Sequence, residues 1–300
     1  MPTFLSKALE NPIALLLTTG FLIGLNFPLG KVAVEAGVSP ILWAILISTG
    51  ASVAMIGVLL LQRAPLRIAP AIARYSLISG IITFVAANWL VFSVIPHVGS
   101  GFIGIMFALS PVFTLAIATL FRLRTPGPLG LAGIAIGLVG ATIVAWSRQA
   151  SQIEVSPLWI FAAILVPFTL AVGNVYRTVA WPEGESPDRL ALWSHSFSAV
   201  LLAVILLAKQ GSLQLAQLSE VPLTSLVQFI VAGLTFPVFF RLQQFGGPVL
   251  LSQLGYVAAA VGLAAATLFL GETYRLLTWG GAAIIAMGVG FTILAQRDKS

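Results

Sequence analysis

Few side chains inside the long apolar runs of this 300-residue chain could do chemistry. His195, in the stretch WSHSF, is the first candidate. Imidazole changes charge near neutral pH, and its neutral form donates one hydrogen bond and accepts another. It either meets a solute carboxylate or amine, or joins two helices with help from Ser194, Ser196 and Ser198. Asn26 and Asn174 are the second pair, each a polar residue in an apolar segment close to helix-weakening positions. Pro28 cannot donate a backbone hydrogen bond, and Gly24, Gly30 and Gly173 loosen the same stretches. A helix so interrupted can present amides and free carbonyls to a cavity. The competing role is interhelical bonding worth ~0.6 kcal/mol per amide. Lys31 and Glu35 stand i,i+4 and can pair across one turn.

Further candidates come from aromatic and polar residues sharing a helical face. Trp89 follows Asn88, and Trp193 precedes the serines around His195. Flat aromatic walls beside a few polar groups suit a ring with an amino-acid head. Phe107, Ser110, Pro111 and Thr114 fall on one face by the 3.6 period, as do Ser252, Gln253 and Tyr256. Gln228, Phe236 and Pro237 add a third group. The candidate substrate-binding set is therefore Asn26, Asn88, Trp89, Phe107, Ser110, Asn174, Trp193, His195, Gln253 and Tyr256. Pro28, Pro111 and Pro237 are candidate gating bends, with static kinks as the alternative.

The absences exclude several classes. All nine acidic residues fall at expected span ends or in loops: Glu10, Glu35, Glu154, Glu183, Glu185, Asp188, Glu220, Glu272 and Asp298. A proton relay on a mid-membrane carboxylate lacks its central part. Cysteine is absent and only two histidines occur, His97 being a solvated loop residue in this reading. No metal set, no cofactor fingerprint and no nucleophile–base arrangement stands out, and an enzyme is not expected. A channel would want a polar pore or charged ring. The +6 formal charge reads as topology signals in short loops, not as a nucleic-acid surface. The cargo that remains is an amphipathic small molecule, neutral overall.

The elements that must position these residues are membrane helices. Hydrophobic residues make up 59% of the chain and charged residues 8%, against roughly 25% charged in a soluble domain. Apolar runs give ten expected spans near 12–36, 40–62, 70–95, 98–122, 126–147, 156–180, 187–208, 223–244, 248–271 and 274–295. With a cytoplasmic N-terminus, one side carries Lys7, Arg63, Arg67, Arg74, Arg122, Arg124, Arg177, Arg189, Arg241, Arg297 and Lys299. The other keeps only Lys31, Arg148, Lys209 and Arg275. This imbalance predicts both termini in the cytoplasm of a cell inner (plasma) membrane protein. Thirty aromatics include Trp146, Trp159, Trp181 and Trp279 near span ends, as an interfacial belt requires.

The run ATLF at 118–121 recurs at 266–269, an offset of 148 residues. The same offset lays Asn26 on Asn174, Gly99 on Gly247, Thr125 on Thr273, Gly133 on Gly281 and Gly140 on Gly288. Two five-helix units, 1–148 and 149–300, follow. Five being odd, the second enters the membrane from the opposite side, an inverted-topology repeat of the kind secondary transporters use. The fold class expected is all-α and polytopic. The Gly-rich fifth and tenth spans read as packing elements, within a monomer or in a weak homodimer.

The stretches GLNFPLGKVAVEAGVSPILWAIL, FALSPVFTLAIATLF and LFLGETYRLLTWGGAAIIAMGVGFTIL resemble, in order and spacing, the EamA-type branch of the drug/metabolite transporter superfamily. Within it the chain is most similar to the YddG branch of aromatic amino acid exporters. The resemblance implies ten helices in two inverted halves around a central cavity, with the fifth and tenth peripheral. The chain departs from it in the first half, where Arg122–Leu123–Arg124 stands opposite Leu270–Gly271–Glu272. Other metabolites on the same fold, such as nucleotide-sugars, lipid-like solutes or aromatic cationic drugs, remain the alternative cargo.

Overall fold

The computed structural model describes residues 11–99, 103, 106–123, 126–149, 156–271 and 273–297. Lys7, Glu10, Arg124, Thr125, Glu154, Glu272, Asp298 and Lys299 lie outside them. Among the described residues the chain is helical, with no strand. The helices are α1 Pro12–Glu35, α2 Pro40–Leu61, α3 Pro70–Val98, α4 Ser110–Leu120, α5 Pro128–Gln149, α6 Pro157–Val179, α7 Pro187–Gln210, α8 Pro222–Ser252, α9 Leu254–Leu270 and α10 Leu276–Arg297. Proline opens α1, α2, α3, α5, α6, α7 and α8, where its missing N–H is no loss. Asn11 caps α1 through its side chain, accepting from the amides of Ile13 and Ala14 at 2.9 and 3.2 Å.

Seven helices are long and apolar enough to cross a membrane; α4, the apolar Pro128–Val144 of α5, and α9 are shorter. Two departures from the expected boundaries explain the short ones. α8 runs to Ser252, broken only at Gly247, whose φ of 69° lies in the region glycine favours. It thereby takes residues expected in the ninth span. α4 begins at Ser110, after a turn at 108–109. Pro111 therefore occupies the first turn of α4 and is not a mid-helix bend, whereas Pro28 and Pro237 do lie inside continuous helices. A π-helical turn, Gly80–Ala86, interrupts α3 and has no signal in the sequence reading. Such turns are frequent at functional sites because they re-aim side chains.

Packing follows the small residues. α1 lies on α9 through Gly20 and Gly24, where a Cβ would come within 2.4 Å of Val257 and 2.6 Å of Val261. α5 lies on α10 closer still, backbone to backbone. A Cβ at Gly288 would come within 2.6 Å of the Gly133 carbonyl, and one at Gly140 within 2.7 Å of the Gly281 carbonyl. The glycine faces of α5 and α10 thus meet within one chain. α2 packs on α7, where Ser196 hydroxyl donates to Ser52 at 3.2 Å. α1 also packs on α8, α6 on α4, and α3 on α6 and α7.

Candidate functional site

A cavity opens among α1, α3, α4, α6, α8 and the start of α9, with about 750 Å³ of empty space, part of it open to the outside. Its walls are mostly apolar and aromatic: Phe27, Phe84, Phe92, Phe107, Phe236 and Phe239. The polar lining is sparse: Asn26, Thr83, Asn88, Ser110, Asn174 and Ser252. Among the described residues no aspartate or glutamate lines it. Phe27 meets Phe107 edge-on at 5.0 Å, and Phe84 meets Phe236 the same way at 5.4 Å. The π-helical turn of α3 contributes Thr83 and Phe84, and the helix after it contributes Asn88.

Of the ten candidate substrate residues, five line this cavity: Asn26, Asn88, Phe107, Ser110 and Asn174. Asn26 donates to the Leu22 carbonyl one turn back at 2.8 Å and accepts from the Gln228 amide at 2.6 Å. The buried amide nitrogen of Asn88 has no hydrogen-bond partner. Such a donor is a ready hook for a solute acceptor.

The other five lie outside the lining. Trp89 turns outward, 37% exposed, with the Lys209 ammonium 4.9 Å from its ring centre. Tyr256 is fully buried against Gly137, and its hydroxyl donates to the Ile134 carbonyl at 3.0 Å, tying α9 to α5. Trp193 is half-buried beside Phe197 and packs against the apolar core. Gln253 is buried at the join of α8 and α9, next to the lining Ser252. His195 is buried between Phe84 and Phe236, with ring centres 4.0 and 3.8 Å away, and neither ring nitrogen has a partner. The interhelical hydrogen bond expected as its alternative role is not formed; the ring backs the aromatic wall instead. His97 is exposed in the last turn of α3, stacked on Trp159 at 3.7 Å. Lys31 and Glu35 pair at 3.6 Å, as their spacing predicts.

Sequence reasoning left the most charged part of the site out of its candidate set. Arg177, counted above among the cytoplasmic-side charges, is 0% exposed. Its Nε donates to Gln243 at 3.1 Å, one terminal nitrogen to Thr83, and the other to Asn174 at 2.6 Å. Gln243 in turn donates to Thr178 at 2.6 Å. The guanidinium carbon lies 4.9 and 5.9 Å from the ring centres of Phe239 and Phe84, both lining residues. The available signal was the spacing Asn174, Arg177, Thr178, which places all three on one face of α6.

A few residues away, one end of the bundle is held by Asp188 of α7. Its Oδ2 accepts from Arg241 of α8 at 2.7 Å and from Gln62, at the end of α2, at 3.1 Å. Its other oxygen is buried without a partner. The contact joins three helices and relies on a single oxygen.

Known proteins can now be set beside this geometry. Residues 11–146 match the EamA-like transporter family. The EamA-like region spans α1 through most of α5, the first of the two expected units, and the family is one of membrane transporters. No curated protein matches the chain. A protein of known crystal structure superposes with a TM-score of 0.71 at 18% identity, over 96% of this chain and 99% of its own length, a likeness of fold.

Proposed function

We propose that the chain is a secondary transporter of the cell inner membrane. It exports aromatic and other neutral amino acids and related amphipathic metabolites by alternating access. The observation that carries this reading is the cavity, built by helices of both units, apolar and aromatic in its walls and polar at a few amides. In this reading ten helices span the bilayer as two inverted units, 1–148 and 149–300, with both termini cytoplasmic.

Backbone geometry supports the duplication. Gly99 and Gly247, 148 residues apart, take φ of 82° and 69°. Arg63 and Gly211, at the same offset, take 54° and 69°. A left-handed residue is costly outside glycine, and its occurrence at Arg63 opposite Gly211 agrees with the proposed duplication. Helix partners also exchange as an inverted repeat requires: α2 with α7, α5 with α10, α1 with α9 as α6 with α4, and α1 with α8 as α6 with α3. Alternate opening then means rocking one unit on the other, with the Gln62–Asp188 hydrogen bond, the part of that contact that joins the two units, made in one state and broken in the next.

The test is counterflow in proteoliposomes with labelled Phe, Trp and Thr, quaternary aromatic dyes and nucleotide-sugars. Exchange of the amino acids above empty liposomes supports the reading. Exchange confined to dyes or nucleotide-sugars replaces the cargo, and none at all removes the carrier.

A further inference from the structure

Arg177 is a fixed positive charge in the protein interior with no negative partner. Arginine does not give up its proton in proteins, so neutralisation by deprotonation is closed to it. Glu35 pairs with Lys31, Glu185 with Arg189 and Asp188 with Arg241. Among the described residues no carboxylate reaches the Arg177 guanidinium, whose three bonded acceptors, Thr83, Asn174 and Gln243, are all neutral. Burying a charge is strongly unfavourable unless it is paired. Of the five N–H donors of the fork, these acceptors use three.

Two of the three acceptors, Thr83 and Asn174, line the cavity; the third, Gln243, does not. The solute space therefore touches the two terminal nitrogens of the fork through side chains able to rotate away. A carboxylate entering there would take both nitrogens at once, in the two-pronged geometry that matches guanidinium. It would replace two neutral acceptors with one oppositely charged partner, adding an ion pair to the two hydrogen bonds. Gln243 would keep its hold on Nε, so the arginine would stay in place. Asn88, with its unpartnered amide nitrogen, supplies another donor on the cavity wall. Nothing acidic lines the cavity to receive an ammonium.

We infer that Arg177 is the anion-reading group of this cavity, and that its ligands are compact apolar or aromatic carboxylates whose amino group is dispensable. Cations of the same shape are rejected. A single guanidinium suits a monocarboxylate and is too little for a diphosphate. The inference rests on the carrier reading for its purpose, but the binding it describes is measurable without transport.

The experiment compares five ring-matched probes on purified full-length protein, by calorimetry: 3-phenylpropionate, phenylalanine, 3-phenylpropionamide, phenylalaninamide and phenethylamine. The expected order is phenylpropionate at least equal to phenylalanine, both about tenfold or more tighter than the neutral amide, with the two cations weakest. In R177Q the acid-over-amide ratio falls to near one. R177K, which keeps charge and loses the fork, falls between. Equal binding of acid and amide by the unaltered protein overturns the inference even if R177Q fails to fold. A phenylalanine affinity more than tenfold above that of phenylpropionate also overturns it, since an acceptor for the ammonium must then exist. Acid-selective binding without flux in proteoliposomes leaves the anion site standing and removes the carrier. Flux of amides and amines equal to that of acids does the reverse.

Discussion

Asn26 and Asn174 occupy equivalent places 148 residues apart, yet their surroundings differ in kind. Asn26 belongs to a small neutral contact: one bond to its own helix and one from Gln228. Asn174 belongs to a charged hub in which Arg177, Thr83, Gln243 and Thr178 are joined through three helical segments. At the offset, Arg177 falls on Leu29, Gln243 on Ile95 and Thr83 on Val231. In the proposed duplication, one backbone plan carries charge in one unit and apolar side chains in the other. On that reading symmetry sets where the cavity is, and the unmatched residues set what it attracts.

The comparison is broken most directly at the charged hub. Asn174→Leu or Gln243→Leu leaves an arginine donor buried without an acceptor, at an expected cost of ~1–3 kcal/mol. Thermal unfolding in detergent, followed by intrinsic fluorescence, reads this as a clear fall in Tm for either variant. The two changes together should couple by ~0.5 kcal/mol or more, because both touch Arg177. Additive losses would mean the hub is not one network.

The next effect is conformational. Asp188→Asn removes the charge from the oxygen that accepts from Gln62 across the two units at 3.1 Å, an interaction of ~1 kcal/mol. That changes the population of the opened state by a factor of about 5. The chain has no cysteine, so Ser110→Cys offers a single thiol on the cavity wall. Its labelling by a membrane-impermeant maleimide should speed up severalfold in the Asp188→Asn background. An unchanged rate would show that this contact is not a gate.

The smallest effect belongs to the neutral copy. Asn26→Leu should cost only ~0.6 kcal/mol. Combined with Asn174→Leu it should add to within ~0.5 kcal/mol, the two sites sharing no partner. A loss as large as that of Asn174→Leu would erase the contrast between the copies.

The helices were legible because each needs a long apolar run, and proline marks the start of seven of them. The cavity was partly legible for the same reason: Asn26, Asn88, Ser110 and Asn174 are polar where their neighbours are not. Arg177 was hidden by its position near a helix end, where a basic residue ordinarily meets water. Only tertiary packing brings Thr83 and Gln243 to it, from 94 and 66 residues away. Trp89 and Tyr256 failed in the opposite sense. A face drawn from helical period says which residues point together, and not toward what. Tyr256 points into the groove opened by Gly137, and Trp89 out toward Lys209. Asn88 and Trp89 are sequence neighbours and point about 100° apart around α3, so one lines the cavity and the other turns away.

The glycine seam between α5 and α10 is made of residues that contribute nothing to the cavity lining. The strongest grip between the two halves and the chemistry of solute choice are thus written in separate sets of positions. Mutations that retune cargo need not loosen the scaffold, and a lineage carrying this architecture is free to explore new solutes without first acquiring spare stability.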